Sequence, residues 1–171
     1  EMINWSCANN CFHLTLYNYN SSEMQKINLK EMYDSANKHY VNRDYKKAKD
    51  LYLKILKHAP KHPETNNNLG LTYRKLNQIE NAIICFKTAL GSNENYVIAL
   101  NNLAKAQLEI NLVSESISNF EKSLKLDPNK KETFEEYAAT LLEADKHDKA
   151  LRYLNKGVGT INFSHEKVYI V

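Results

Sequence analysis

Apolar residues along this chain recur with a helical beat that pauses at short polar breaks. Between positions 79 and 90, Ile79, Ala82, Ile83, Phe86, Ala89 and Leu90 follow a period of about 3.6 residues. The same pattern predicts helices over 29–42, 45–58, 63–76, 79–91, 96–110, 113–125, 131–144 and 147–156. Pro60 and Pro128 follow two of these segments, where a residue without an amide proton cannot continue a helix. Only four glycines and three prolines occur, too few for a chain of strands and tight turns. The fold class is all-α.

One interval governs the array. Ala36, Gly70, Ala104 and Ala138 are each 34 residues apart, as are Ala48, Ala82, Ser116 and Ala150. Tyr52, Phe86 and Phe120 keep the same spacing, and Pro60 and Pro128 are separated by twice that, 68. Independent columns that agree on one period identify a repeat architecture. Packing explains the residue types. A small side chain lets the two helices of a unit approach, and an aromatic ring fills the space beside it. A single unit leaves an apolar face exposed, so neighbours must stack to bury it.

These columns resemble the tetratricopeptide repeat, a 34-residue pair of helices (A and B). The family has small residues at its eighth and twentieth positions, an aromatic at the twenty-fourth and proline at the thirty-second. The second unit is the nearest match, with Leu69-Gly70, Tyr73, Ala82, Phe86 and Ala89-Leu90. The first carries Ala36, Tyr45, Ala48, Tyr52, Leu56 and Pro60. The third carries Leu103-Ala104, Phe120, Leu124 and Pro128, with Ser116 and Ser123 where alanine is usual. The fourth has Phe134, Ala138 and Ala150 and then drifts, as a terminal repeat without a neighbour does. The resemblance implies a right-handed α-solenoid of four helix–turn–helix units, at 29–62, 63–96, 97–130 and 131–164.

The two ends differ from this array. Residues 1–28 are rich in Asn, Ser and Tyr without a sustained period, and are expected to be poorly ordered or loosely docked. Residues 165–171 form a C-terminal tail. The change to Val158, Ile161, Phe163, Val168, Tyr169, Ile170 and Val171 after Gly157 and Gly159 is what either the start of another domain or a strap packed on the last helix would look like.

Charge and chemistry narrow the function classes. A net charge of +3 is too small to imply nucleic acid, and no apolar run reaches the roughly 18 residues that span a bilayer. Three cysteines, without a framework, fit a reducing compartment, and a cytoplasmic location is expected. Cys7, Cys11 and His13 cluster near the start, but no second pair follows at zinc spacing. His58 and His62 have the spacing of metal ligands on a helix, but Pro60 lies between them, so they read as turn residues. Cys85, between Ile84 and Phe86, reads as a small core residue. The scattered glycines form no phosphate loop. No cofactor, metal or catalytic residue is expected, and the chain is not read as an enzyme.

The resemblance also implies where partners bind, because helix A of each unit lines the concave surface. Tyr33, Asn37 and Tyr40 of the first unit, Asn67, Asn68 and Arg74 of the second, and Asn101, Asn102 and Lys105 of the third are the expected peptide-binding residues. An amide side chain both donates and accepts, so Asn68 and Asn102 could satisfy a peptide backbone without reading its sequence. Asp34 and Glu136 occupy the outer positions of that series. The family's clamp for acidic C-terminal tails requires cations where this chain has Tyr33, Ile98 and Asn102, although Asn37 and Asn68 match. Asn42, Asn77, Asn81 and Asn111 have no visible role. The first unit carries a net charge of +5, mainly on Lys46, Lys47, Lys49, Lys54 and Lys57 of its helix B, which reads as a solvated outward face.

The expected function is a protein-interaction module that takes an extended peptide or partner helix in its concave groove. Self-association is a further expected mode, resting on the open face of the last repeat. The alternative is the N-terminal repeat region of a larger enzyme, such as a bacterial transferase or oxygenase. Protein or peptide partners are expected, and neither nucleic acid nor membrane.

Overall fold

A computed structural model describes residues 28–158 of the chain. The expected N-terminal arm, the C-terminal tail and the Cys7, Cys11 and His13 group lie outside the described residues, apart from position 28. Every described element is a helix, and the architecture is an all-α helical repeat. The helices fall at 28–41 (α1), Tyr45–His58 (α2), Pro63–Lys75 (α3), Ile79–Ser92 (α4), Val97–Glu109 (α5), Val113–Leu126 (α6), Lys131–Glu143 (α7) and His147–Val158 (α8). Each lies within two residues of the span that apolar spacing predicts. The chain divides into two compact units, one ending at Pro60 and one beginning at Lys61.

The first unit holds α1 and α2. Ala36 and Ala48 are fully buried, as their columns require, and Tyr52 is 1% exposed. The hydroxyl that distinguishes Tyr52 from phenylalanine must be satisfied in that setting. It donates to Asn37 Oδ1 at 2.6 Å, while Tyr33 packs edge-on against its ring.

In the second unit α3 packs on α4, α5 on α6 and α7 on α8. Pairs then nest on one another through α4 with α5 and α6 with α7, and the A helices touch directly, α3 with α5 and α5 with α7. Ala82, Ile83, Phe86, Leu103 and Ala106 form one core, and Phe120, Phe134, Tyr137, Ala138 and Leu141 centre a second. Gly70 shows why its column is small. A Cβ there would lie 2.5 Å from Phe86 Cε1 and within 2.9 Å of two more atoms of the same ring. Ser116 and Ser123, where alanine is usual, are buried with hydroxyls that find no partner, so the smallness of the column matters there more than its polarity.

The turn inside each unit repeats as faithfully as the core. Arg43, Asn77, Asn111 and Asp145, spaced 34 apart, all have positive φ, between 55° and 62°. The amide that follows each of them reaches back to a carbonyl of the preceding helix, as Gln78 N does to Tyr73 O at 2.9 Å and Leu112 N to Gln107 O at 2.8 Å. This is a helix end closed by one left-handed residue, a conformation that asparagine tolerates better than most residues do. Asn77 and Asn111 therefore have a structural role that hydrophobic spacing could not reveal. His62 also has one: its ring accepts from Thr65 N at 3.2 Å and caps the start of α3.

A polar contact ties the last repeat to its neighbour. Glu121 of α6 accepts from the Tyr137 hydroxyl of α7 at 2.7 Å and from Lys149 Nζ of α8 at 2.6 Å. Hydrogen bonds from Lys149 and then Tyr137 hold the Glu121 carboxyl below its ordinary range. Burial pushes the Tyr137 hydroxyl up to about 12.

Candidate peptide-binding face

The side chains expected to meet a peptide lie on the A helices, and each of those packs beside the A helix of the next pair within residues 61–158. Polar side chains line this seam at intervals. Asn102 of α5 donates through Nδ2 to Asn67 Oδ1 of α3 at 2.9 Å, and Asn67 Nδ2 donates in turn to Asn68 Oδ1 at 3.2 Å. Two helical turns further on, Arg74 Nε donates to Glu109 Oε1 at 2.9 Å. Between α5 and α7, Asn101 Nδ2 donates to Thr133 Oγ1 at 2.8 Å, and Lys105 forms an ion pair with Glu136.

Burial separates the expected residues into two groups. Asn67 is 2% exposed and Asn101 6%, so their amides act between helices. Asn101 Oδ1 is buried with no hydrogen-bond partner among the described residues. Asn68, Arg74 and Lys105 are half-buried and reach the surface, and Asn102, at 8% exposed, stands between the two groups. In the first unit, Tyr33, Asn37 and Tyr40 are half-buried. Asn37 is committed to the Tyr52 hydroxyl, and Tyr40 packs edge-on against Tyr45 with ring centroids 5.5 Å apart.

Glu109 and Glu136 pair with Arg74 and Lys105, contacts that sequence reasoning missed. The signal was present as opposite charges separated by 35 and 31 residues, close to one period. Thr133, which receives Asn101, carried no signal. This face can offer amide donors and acceptors, together with cations already neutralised by a neighbouring carboxylate. A ligand group that replaced a carboxylate would therefore exchange one ion pair for another.

Other chemistry is sparse in the described residues. Burial pushes the Cys85 thiol up to about 11, which makes it an inert core group at neutral pH. No group of three or more His, Cys, Asp or Glu side chains is arranged to hold a metal ion among the described residues. No described helix is long and apolar enough to cross a membrane.

Comparisons with known proteins agree with this architecture. Residues 63–96 and 97–130 each match the sequence profile of the tetratricopeptide repeat. The uncharacterized protein ycf37 of Pyropia yezoensis is 40% identical over 65 residues, which are 38% of this chain and 36% of that protein. The chain thus matches about a third of the length of that curated relative. Among solved structures, YrrB, described as a tetratricopeptide-repeat protein with an unusual peptide-binding site, superposes with a TM-score of 0.68 at 24% identity, over 90% of this chain and 79% of that one. The first such domain of Spaghetti (RPAP3), described as bound to the HSP90 peptide SRMEEVD, superposes with a TM-score of 0.66 at 22% identity, over 68% of this chain and 93% of that one. Repeated helix pairs, small and aromatic columns buried at one period, and these matches lead to one conclusion: residues 63–130 are two tetratricopeptide repeats, set in a helical array of the same fold.

Proposed function

We propose that the chain is a protein-interaction module that binds an extended peptide along its A helices, and that it acts by binding rather than by catalysis. The proposed array comprises four units, at 29–62, 63–96, 97–130 and 131–164. The observation that carries the reading is the strip of Asn68, Asn102, Arg74 and Lys105 across α3 and α5. Asn68, Arg74 and Lys105 reach the surface with Asn102 just beneath them, and their partners hold all four in place, so little side-chain entropy remains to be lost on binding. Asn67 and Asn101 support that strip from beneath. Tyr33, Asn37 and Tyr40 are assigned the same binding role within their own helix pair. YrrB and the RPAP3 domain, with their described peptide site and bound peptide, support a peptide as the ligand class. The missing clamp cations argue against an acidic C-terminal tail as the ligand.

The test is affinity for a peptide selected by display against the whole chain, read by fluorescence anisotropy. Replacing both Asn68 and Asn102 by Ala removes two hydrogen-bonding groups worth about 1 kcal/mol each, so affinity should fall by about ten-fold or more. Unchanged affinity, with the helical circular-dichroism signal intact, would remove the strip from the binding site.

A further inference from the structure

Two helices carry charge that the fold does not use. On α2, Lys46, Lys54 and Lys57 are exposed, with no ion-pair partner among the described residues. At about 100° per residue they fall within an arc of about 80°, opposite the buried Ala48, Tyr52 and Ile55. Lys47 beside them is tied to Asp44 at 3.0 Å, and Asp50 is the one acid on that face. On α7, Glu132, Glu135 and Glu143 are likewise exposed and without an ion-pair partner among the described residues. They also span an arc of about 80°, opposite the buried Phe134, Tyr137, Ala138 and Leu141. Glu136 lies in the same stripe but is held by Lys105.

The two sets match along the helix axis. Glu132, Glu135 and Glu143 are separated by three and then eight residues, and Lys57, Lys54 and Lys46, taken in reverse, are separated by three and then eight. Each set therefore extends about 16 Å, and antiparallel helices bring every lysine to the axial level of one glutamate. No other B helix exposes three lysines without an acid paired to the set: α4 exposes Glu80 and Lys87, α6 exposes Glu115, Lys122 and Lys125, and α8 exposes Asp148, Arg152 and Lys156.

We propose that a second copy of this chain is the occupant of these faces, with α2 of one copy lying antiparallel on α7 of the next. The contact joins different surfaces of the two partners, so it leaves one face of each kind open and propagates head to tail. It does not depend on the peptide-binding strip of α3 and α5. Its charges are solvent-exposed, so the association is weak and sensitive to salt.

Sedimentation velocity of the full chain over a range of concentrations tests this. At about 50 mM salt the weight-average mass should rise with concentration above that of a single chain, and about 500 mM salt should weaken association at least ten-fold. The variant Lys46→Glu/Lys54→Glu/Lys57→Glu and the variant Glu132→Lys/Glu135→Lys/Glu143→Lys should each sediment as monomers. An equimolar mixture should associate again, because each reversed face then meets its complement. All six sites are exposed, and circular dichroism confirms that both variants fold. A wild-type monomer at every concentration overturns the proposal. So does association that both reversals leave unchanged, or a mixture that remains monomeric.

Discussion

Replacing Gly70 and Gly91 by alanine is the same chemical change in two helices, yet the structure assigns the two substitutions opposite signs. Alanine inside a helix is favoured over glycine by up to about 1 kcal/mol, because the unfolded chain loses freedom. At Gly91 nothing lies within 4 Å of an added Cβ, so that preference is realised. The site is in the last turn of α4, where fraying reduces the gain to about 0.5 kcal/mol. At Gly70 the added carbon meets three atoms of the Phe86 ring at 2.5, 2.8 and 2.9 Å. That ring is fully buried and cannot swing into solvent. Overpacking of this kind costs about 1–3 kcal/mol, and three contacts to one immobile ring place it at the upper end. Subtracting the propensity gain leaves Gly70→Ala less stable by about 1–2 kcal/mol. Urea denaturation followed by circular dichroism measures both variants. Shortening the ring in a Gly70→Ala/Phe86→Leu double variant should cost less than the two single changes added together, by about 1 kcal/mol. If Gly70→Ala proves as stable as Gly91→Ala, the close approach of α3 and α4 is not what keeps this column small.

The left-handed turns and the Glu121 contact give two further expectations. Asn111→Ala should lower stability by about 1 kcal/mol, and Arg43→Gly should raise it by about 0.5–1 kcal/mol, since a residue with a Cβ is strained at φ 62°; thermal melts distinguish the two signs. The Glu121 carboxyl sits below its ordinary value of 4.5, so its contribution is complete above that pH and is lost as pH falls below it. Its side chain is 41% exposed and screened by solvent, so the loss should stay under about 1 kcal/mol and be absent in Glu121→Gln, as acid titration of stability would show.

The helices could be read from the chain because packing writes itself into residue size. Ala36, Ala48, Ala82, Ala104, Ala138 and Ala150 are all fully buried, at the period that revealed them. The turn residues could not be read in the same way. The sign of φ leaves no mark on a hydrophobic pattern, and Arg43 and Asp145 occupy the same turn position as Asn77 and Asn111. The candidate face was legible in outline only. The family resemblance placed Asn67 and Asn101 on the inward side but could not show that they would be spent between helices. That outcome depends on how closely α3, α5 and α7 approach, which follows from small residues elsewhere in each unit.

The seam between A helices has a consequence for how such a chain can be rearranged. Arg74 finds its counter-ion in the following unit, and so does Lys105, but the two counter-ions stand at different positions of their units. Neighbouring modules are therefore keyed to one another like successive links of different gauge. Splicing in a second copy of 97–130 would set Lys105 opposite an asparagine amide where Glu136 now stands, leaving a cation without its mate. Order along the array is thus written in side-chain charge as well as in backbone succession, and the modules are not interchangeable parts.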